Sequence, residues 1–186
     1  MSDKYFHDET FIKLSSLSIG EYENCVFDNC DFSNSDISGI NLVECIFTNC
    51  NLSLVKLNKT SLQNIQFKYC KIMGVRFDTC NPFGLSISFH NCQLNHSSFY
   101  KLKLKKTIFT NCHLQETDFT EADLSNAVFE NCNLMQAIFL QTNLEKVDFR
   151  TAYNYSIDPE RNTMKKAKFA IAGVIGLLHK YDILID

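Results

Sequence analysis

The stretch TEADLSNAVFENCNLMQAIF, residues 120–139, sets one pattern four times over: a small residue, an outward one, a large apolar one, then two more outward ones. Its large members, Leu124, Phe129, Leu134 and Phe139, stand five apart. Five matches neither the 3.6 of a helix nor the 2.0 of a free-standing strand. Steps of five upstream reach Phe119, Phe109, Phe99 and Phe89, with Leu114, Leu104 and Leu94 between them. A second run links Phe27, Phe32, Ile37, Leu42, Phe47, Leu52, Leu57, Leu62, Phe67, Ile72 and Phe77. Every fourth unit repeats its identity, so Phe27, Phe47, Phe67, Phe89, Phe109, Phe129 and Phe149 are all Phe. Twenty residues therefore make one turn of something four-sided, with rings piled along the inside. One such coil cannot bury its own face, but stacked coils share a continuous core.

Composition agrees. The chain has 186 residues, 45% hydrophobic and 21% charged, which suits one folded domain. Six Gly and two Pro are too few for a sheet protein built on tight hairpins. The formal charge of −3 excludes a generally basic nucleic-acid binder, and no direct nucleic-acid binding is expected. The opening MSDKYFHDETF lacks a basic segment followed by an apolar run, and no apolar run is long enough to cross a membrane. Nine cysteines, an odd number, fit reduced thiols and a cytoplasmic address.

The pattern, TEADLSNAVFENCNLMQAIF in particular, resembles the pentapeptide repeat family, whose unit is often written A(D/N)LXX. The resemblance spans roughly residues 25 to 169. It implies an all-β fold, a right-handed quadrilateral parallel β-helix, and a mostly bacterial origin. Residues 1–169 are then expected to form about eight coils, a rod about 38 Å long at 4.8 Å per coil. Residues 170–186 are expected to form a cap: a short helix over AIAGVIGLLHKY and a short strand over DILI, residues 182–185. In relatives such a segment often forms the homodimer contact, which here would use Ile171, Val174, Ile175, Leu178, Ile183 and Ile185.

Cys30, Cys50, Cys70, Cys92, Cys112 and Cys132 recur at one place in successive coils. A metal or redox ladder is one reading. A column of small buried residues is the better one, because no CxxC pair or Cys/His cluster with zinc spacing is present. Asn29, Asn49, Asn91, Asn111 and Asn131 precede the cysteines, where Asn suits a left-handed corner.

Two irregularities are the candidate contacts, with a harmless bulge in the wall and a solvated basic surface as the plainer reading of each. From Phe77 to Phe89 the step is twelve instead of ten, so two extra residues lie within CNPFGLSI, residues 80–87. Pro82 and Gly84 make a bulge there that could project Phe83. Lys101, Lys103, Lys105 and Lys106 cluster, and residues 61–110 carry seven bases against one acid.

No catalytic signature involves the five histidines, no glycine-rich phosphate loop exists, and a convex rod offers no deep pocket. The sequence therefore reads as a non-enzyme without cofactor or metal. Some members of the family, the quinolone-resistance Qnr-type proteins, bind the type II topoisomerases gyrase and topoisomerase IV as DNA mimics. The resemblance carries that expectation here, with a structural or scaffold protein for another protein partner as the alternative. The basic middle and the short bulge depart from the Qnr-type pattern.

Overall fold

One residue in each five-residue unit carries the bend. In the computed structural model, which describes residues 4–184, Asn29, Asn49, Asn91, Asn111 and Asn131 have φ between 51° and 55°. Asn reaches this left-handed region at low cost because its side chain bonds locally. The same conformation is imposed on Leu54, Tyr69, Lys101 and Lys106, at φ 56–62°. Each of these costs about 1–2 kcal/mol. The stacked wall, rather than local preference, holds them there.

Between corners the chain is extended, and it pairs in parallel with the coil before and after. Strands β1 (Lys4–His7), β3 (Gly20–Glu23), β5 (Asn41–Val43) and β7 (Ser61–Gln63) form one sheet. Strands β2 (Thr10–Ile12), β4 (Val26–Asp28), β6 (Ile46–Thr48), β8 (Ile65–Lys68), β9 (Ile87–His90), β10 (Ile108–Thr110) and β11 (Val128–Glu130) form the other. The register follows the sequence period, with Phe27 opposite Phe47, Phe67 opposite Phe89 and Phe109 opposite Phe129. The remaining two sides are ladders of single bridges, such as Asp31–Asn51–Lys71–Gln93–His113–Asn133–Tyr153. The result is a four-sided parallel β-solenoid.

Rings fill its axis. Phe11, Phe27, Phe47, Phe67, Phe89, Phe109, Phe129, Phe149 and Phe169 stack at centroid separations of 4.5–5.3 Å. A second stack, Phe77, Phe99, Phe119 and Phe139, meets the first edge-on. Edge-to-face pairs add about 0.5–1.5 kcal/mol each beyond area burial.

The cysteine column is a column of donors. Cys50, Cys70, Cys92, Cys112 and Cys132 point their thiols at the carbonyls of Phe27, Phe47, Phe67, Phe89 and Phe109, at 3.3–3.5 Å. Thr60, Ser97, Thr117 and Thr142 do the same on other sides. A small side chain with a donor thus ties each coil to the one before it. All nine cysteines are buried and unbridged. Burial raises the thiol pKa of Cys25 and Cys30, and holds Cys45 and Cys80 up at about 11, so these thiols stay protonated at neutral pH.

Both ends depart from the simple period. At the N-terminus the step from Phe11 to Phe27 is sixteen residues, as is Lys4 to Gly20. Phe11 takes the ring position, and Ile12, which falls on the five-residue count, is exposed. At the C-terminus Ile171–Leu177 and His179–Tyr181 are 3₁₀ rather than α-helical. The reason lies in Tyr155. A Cβ on Gly173 would strike the Tyr155 hydroxyl, and one on Gly176 would strike its carbonyl oxygen. The two glycines, which weaken an α-helix, here let the backbone lie directly on Tyr155. The expected strand over 182–185 does not form in its described part: Asp182, Ile183 and Leu184 have no regular structure, and Ile185 lies outside the described residues.

Candidate interaction surface

The bulge sits where the spacing places it. Ser61 still pairs with Asn81, a step of twenty, whereas Ile65 pairs with Ile87, a step of twenty-two. Asn81 Oδ1 accepts the Phe83 N–H at 3.1 Å, and Gly84 has φ +68° over the Gln63 side chain. Phe83 is thrown outward and is 79% exposed, and Leu85 turns inward in its place.

This bulge breaks the wall. In regular coils a central residue gives its N–H to the next coil, as Leu104 gives to Asp123 and Phe32 to Asn51. Pro82 occupies the equivalent place and has no N–H to give. The reciprocal bond, from the Lys103 N–H to the Cys80 carbonyl, is also unmade among the described residues. No bridge therefore joins Asn81 to Lys103, although the same ladder resumes at Lys103–Asp123–Asn143–Thr163. A cleft of about 340 Å³ opens beside the break, lined by Asn64, Gln66, Ser86, Ser88, Lys106 and Ile108 among others.

A second break lies one side earlier, between Lys56 and Arg76. Here the step stays at twenty. The Arg76 carbonyl is captured by the Thr79 N–H and hydroxyl, at 3.3 and 2.8 Å, within a tight 3₁₀ turn over Phe77–Thr79. It is no longer available to Leu57.

The lysine cluster divides. Lys101 pairs with Glu121 at 3.3 Å and Lys105 with Asp123 at 3.2 Å, both one coil further on. Such exposed pairs are worth at most about 1 kcal/mol, yet they cancel charge locally. Lys103 and Lys106 have no carboxylate within 4.0 Å among the described residues. The structure therefore separates two neutralised lysines from two that remain available.

The C-terminal residues form a patch. Ile171, Val174, Ile175, Tyr181, Ile183 and Leu184 are exposed, Ile171 at 93% and Leu184 at 97%. Leu178 is half-buried and turns partly inward. Two clefts that sequence reasoning missed flank this segment. One of about 500 Å³ lies between Ala137–Leu140 and Ser156–Asp158, and one of about 420 Å³ between Arg150–Tyr155 and Ala170–Ile175. Gly176 and His179 line both. The usable signal was Gly173 and Gly176, three apart, in a segment that follows the buried Tyr155 of the last coil. Lys180 fastens the segment to the last coil, donating to Asp158 at 2.8 Å and facing Glu160 at 2.7 Å. It holds both carboxyls below their ordinary pKa.

Among the described residues no group of three or more His, Cys, Asp or Glu lies close enough together to hold a metal ion. Among the described residues no helix is long and apolar enough to cross a membrane.

A family profile for the pentapeptide repeat region matches residues 21–99 and 85–169. Among solved structures, full-length QnrB1, a plasmid-mediated fluoroquinolone resistance protein, superposes with a TM-score of 0.51 at 18% identity, covering 97% of this chain and 100% of that one. HetL from the cyanobacterium Nostoc, involved in heterocyst differentiation regulation, gives a TM-score of 0.53 at 13% identity over 90% and 84%. At such identities the likeness is one of fold. No curated protein matches by sequence.

Proposed function

The chain belongs to the pentapeptide repeat family, and from that premise we propose that it is a non-catalytic rod that acts in a bacterial cytoplasm by binding protein. One observation carries this reading: a convex four-sided wall whose break between Asn81 and Lys103 leaves Phe83 exposed and Lys103 and Lys106 without a carboxylate partner among the described residues. Such a wall offers recognition surface rather than a reaction chamber. The first partner to test is a type II topoisomerase, DNA gyrase or topoisomerase IV, with fluoroquinolone resistance as the consequence. The fold and size of the rod support that choice. The candidate contacts are Pro82, Phe83, Gly84, Lys101, Lys103, Lys105 and Lys106. The exposed residues Ile171, Val174, Ile175 and Ile183, with half-buried Leu178, suit a homodimer contact, in keeping with their apolar exposure.

The charge pattern favours a second reading, a scaffold for another protein partner. DNA mimicry calls for an acidic stripe along the rod. Here acids dominate residues 1–60, nine against four, but residues 61–110 carry seven bases and one acid. A gyrase supercoiling assay with and without a fluoroquinolone separates the two. Inhibition or drug protection at micromolar protein supports the topoisomerase reading, and the absence of both leaves the scaffold.

A further inference from the structure

We propose that the break in the wall between Asn81–Ser86 and Lys103–Lys106 docks an acidic, apolar-flanked segment of a partner protein. The inference rests on the reading of the rod as a protein binder and names the chemistry of what it binds there. Three features lie along this break, joined through Ser86 and Lys106, which line the cleft, while Lys103 and Phe83 stand outside its lining. The first is main-chain: the Lys103 N–H faces a missing rung and has no main-chain acceptor, because Pro82 and the insertion displaced the coil before it. The second is charge: Lys103 and Lys106 lack the carboxylates that neutralise their neighbours Lys101 and Lys105. They sit in a segment with one acid, Asp78, which Arg76 already pairs at 2.7 Å. The third is shape: the cleft of about 340 Å³ has hydroxyl and amide groups from Ser86, Ser88, Asn64 and Gln66 on its walls, and Ile87 and Ile108 against them. Phe83 stands on the displaced turn with 79% of its surface open.

A carboxylate satisfies the first two features at once, accepting from an unpaired amide and from ammonium groups. An apolar neighbour on the same segment covers Phe83 and Ile108, which otherwise face water. A bare phosphate would meet the charge but leave the ring uncovered. Where the same ladder is intact, at Asp123 and Asn143, the amides are bonded to Leu102 and Ala122 and the lysine is paired. The other break, between Lys56 and Arg76, opens a smaller cleft of about 240 Å³ beside exposed Leu54, and there the guanidinium already holds Asp78 and the free carbonyl already holds Thr79.

The test maps amide chemical shifts of the full chain against three probes: an acidic hexapeptide of alternating Glu and Leu, the same peptide with Gln for Glu, and a short DNA duplex. Shifts at Ser86, Ser88, Lys103 and Lys106 are expected with the acidic peptide alone. Lys106→Glu should weaken that binding about tenfold, as for a charge reversed in a polar rim. Glu is tolerated at this kind of corner, since Glu116 and Glu121 adopt φ 54° and 57°. Phe83→Ala should also weaken it while leaving the remaining spectrum in place. Equal binding of the Gln peptide, no binding of either peptide, or shifts there with the duplex alone would overturn the proposal. If Lys106→Glu leaves the supercoiling assay and partner binding unchanged, the cleft is not the contact, and the protein-binding reading survives it.

Discussion

Coils between Phe99 and Phe149 and coils between Leu52 and Ser86 have the same five-residue pattern but different walls. In the first region every ladder is continuous, and two Phe stacks meet edge-on down the axis. In the second region two rungs are missing. The third inward column there carries Leu57 instead of Phe, below Ile37 in the coil before it, and a void of about 10 Å³ remains among Leu52, Leu57, Leu62, Ile72 and the rings of Phe47, Phe67 and Phe77. A void of that size is at the lower limit for holding even one water. The periodicity of inward residues therefore decides that a solenoid forms. The identity of single residues, Pro82 and Thr79 above all, decides whether its rungs close.

The largest expected effect tests the regular region. Phe109 is fully buried, stacked between Phe89 and Phe129 and edge-on to Phe99 and Phe119. Phe109→Ala should cost about 3–5 kcal/mol in chemical denaturation. A loss under about 1 kcal/mol would mean that the paired stacks are not what holds these coils.

A smaller effect asks whether the second region can simply be given the first region's core. Leu57→Phe extends the third Phe column upward by one coil. The void cannot take the added ring, so overpacking should cost about 1–3 kcal/mol. A stabilised variant would show that the aliphatic coils are merely underfilled, which would weaken the contrast. The thermal midpoint reads the difference.

How much of this contrast the sequence displays depends on what each break does to chain length. The insertion after Asn81 changes the count from ten to twelve, so the bulge and Phe83 are legible. The corner asparagines, the cysteine column and the outward ladder through Gln93, His113 and Asn133 follow from spacing alone. The Lys56–Arg76 gap changes no count. It arises because the Thr79 hydroxyl competes for one carbonyl, a choice made in three dimensions. The pairing of Lys101 and Lys105 across coils is visible only once a step of twenty is read as adjacency. The missed C-terminal geometry has a similar origin: a four-residue apolar spacing fits an α-helix, and only contact with Tyr155 makes the 3₁₀ form and its glycines intelligible.

Repairing the wall should have a still smaller effect on stability. Replacing residues 82–86 with the Leu-Ser-Asn found at 124–126 restores the step of twenty and supplies a central N–H. Recovering the rung is worth about 1 kcal/mol. The sharper readout is local. Hydrogen exchange at the Lys103 amide should slow by about tenfold or more, toward the behaviour of Asp123. Unchanged exchange there would mean that Pro82 and the insertion are not what opens the wall.

The smallest effect separates parts held by main-chain rungs from parts held by charge. Lys180 ties the C-terminal segment to Asp158 and Glu160, and its hydrogen bonds are the leading cause of their lowered carboxyl pKa values. A carboxyl whose pKa is lower folded than unfolded contributes stability above its unfolded value, about 4 for these groups. That contribution disappears as pH falls through the folded value. Asp123 and Asp148 on the wall of the regular coils also have lowered carboxyl pKa values, Asp148 chiefly through Arg150, but the rungs around Phe109 and Phe129 are main-chain bonds over an apolar core and do not pass through those carboxylates. Between pH 5 and pH 3, protection of the amides from Gly173 to Tyr181 should therefore decline while protection at Phe109 and Phe129 persists. Loss of both together would mean that the cap and the coils form one cooperative unit, and that the ion pairs at Lys180 do not hold the end of the rod independently of its wall.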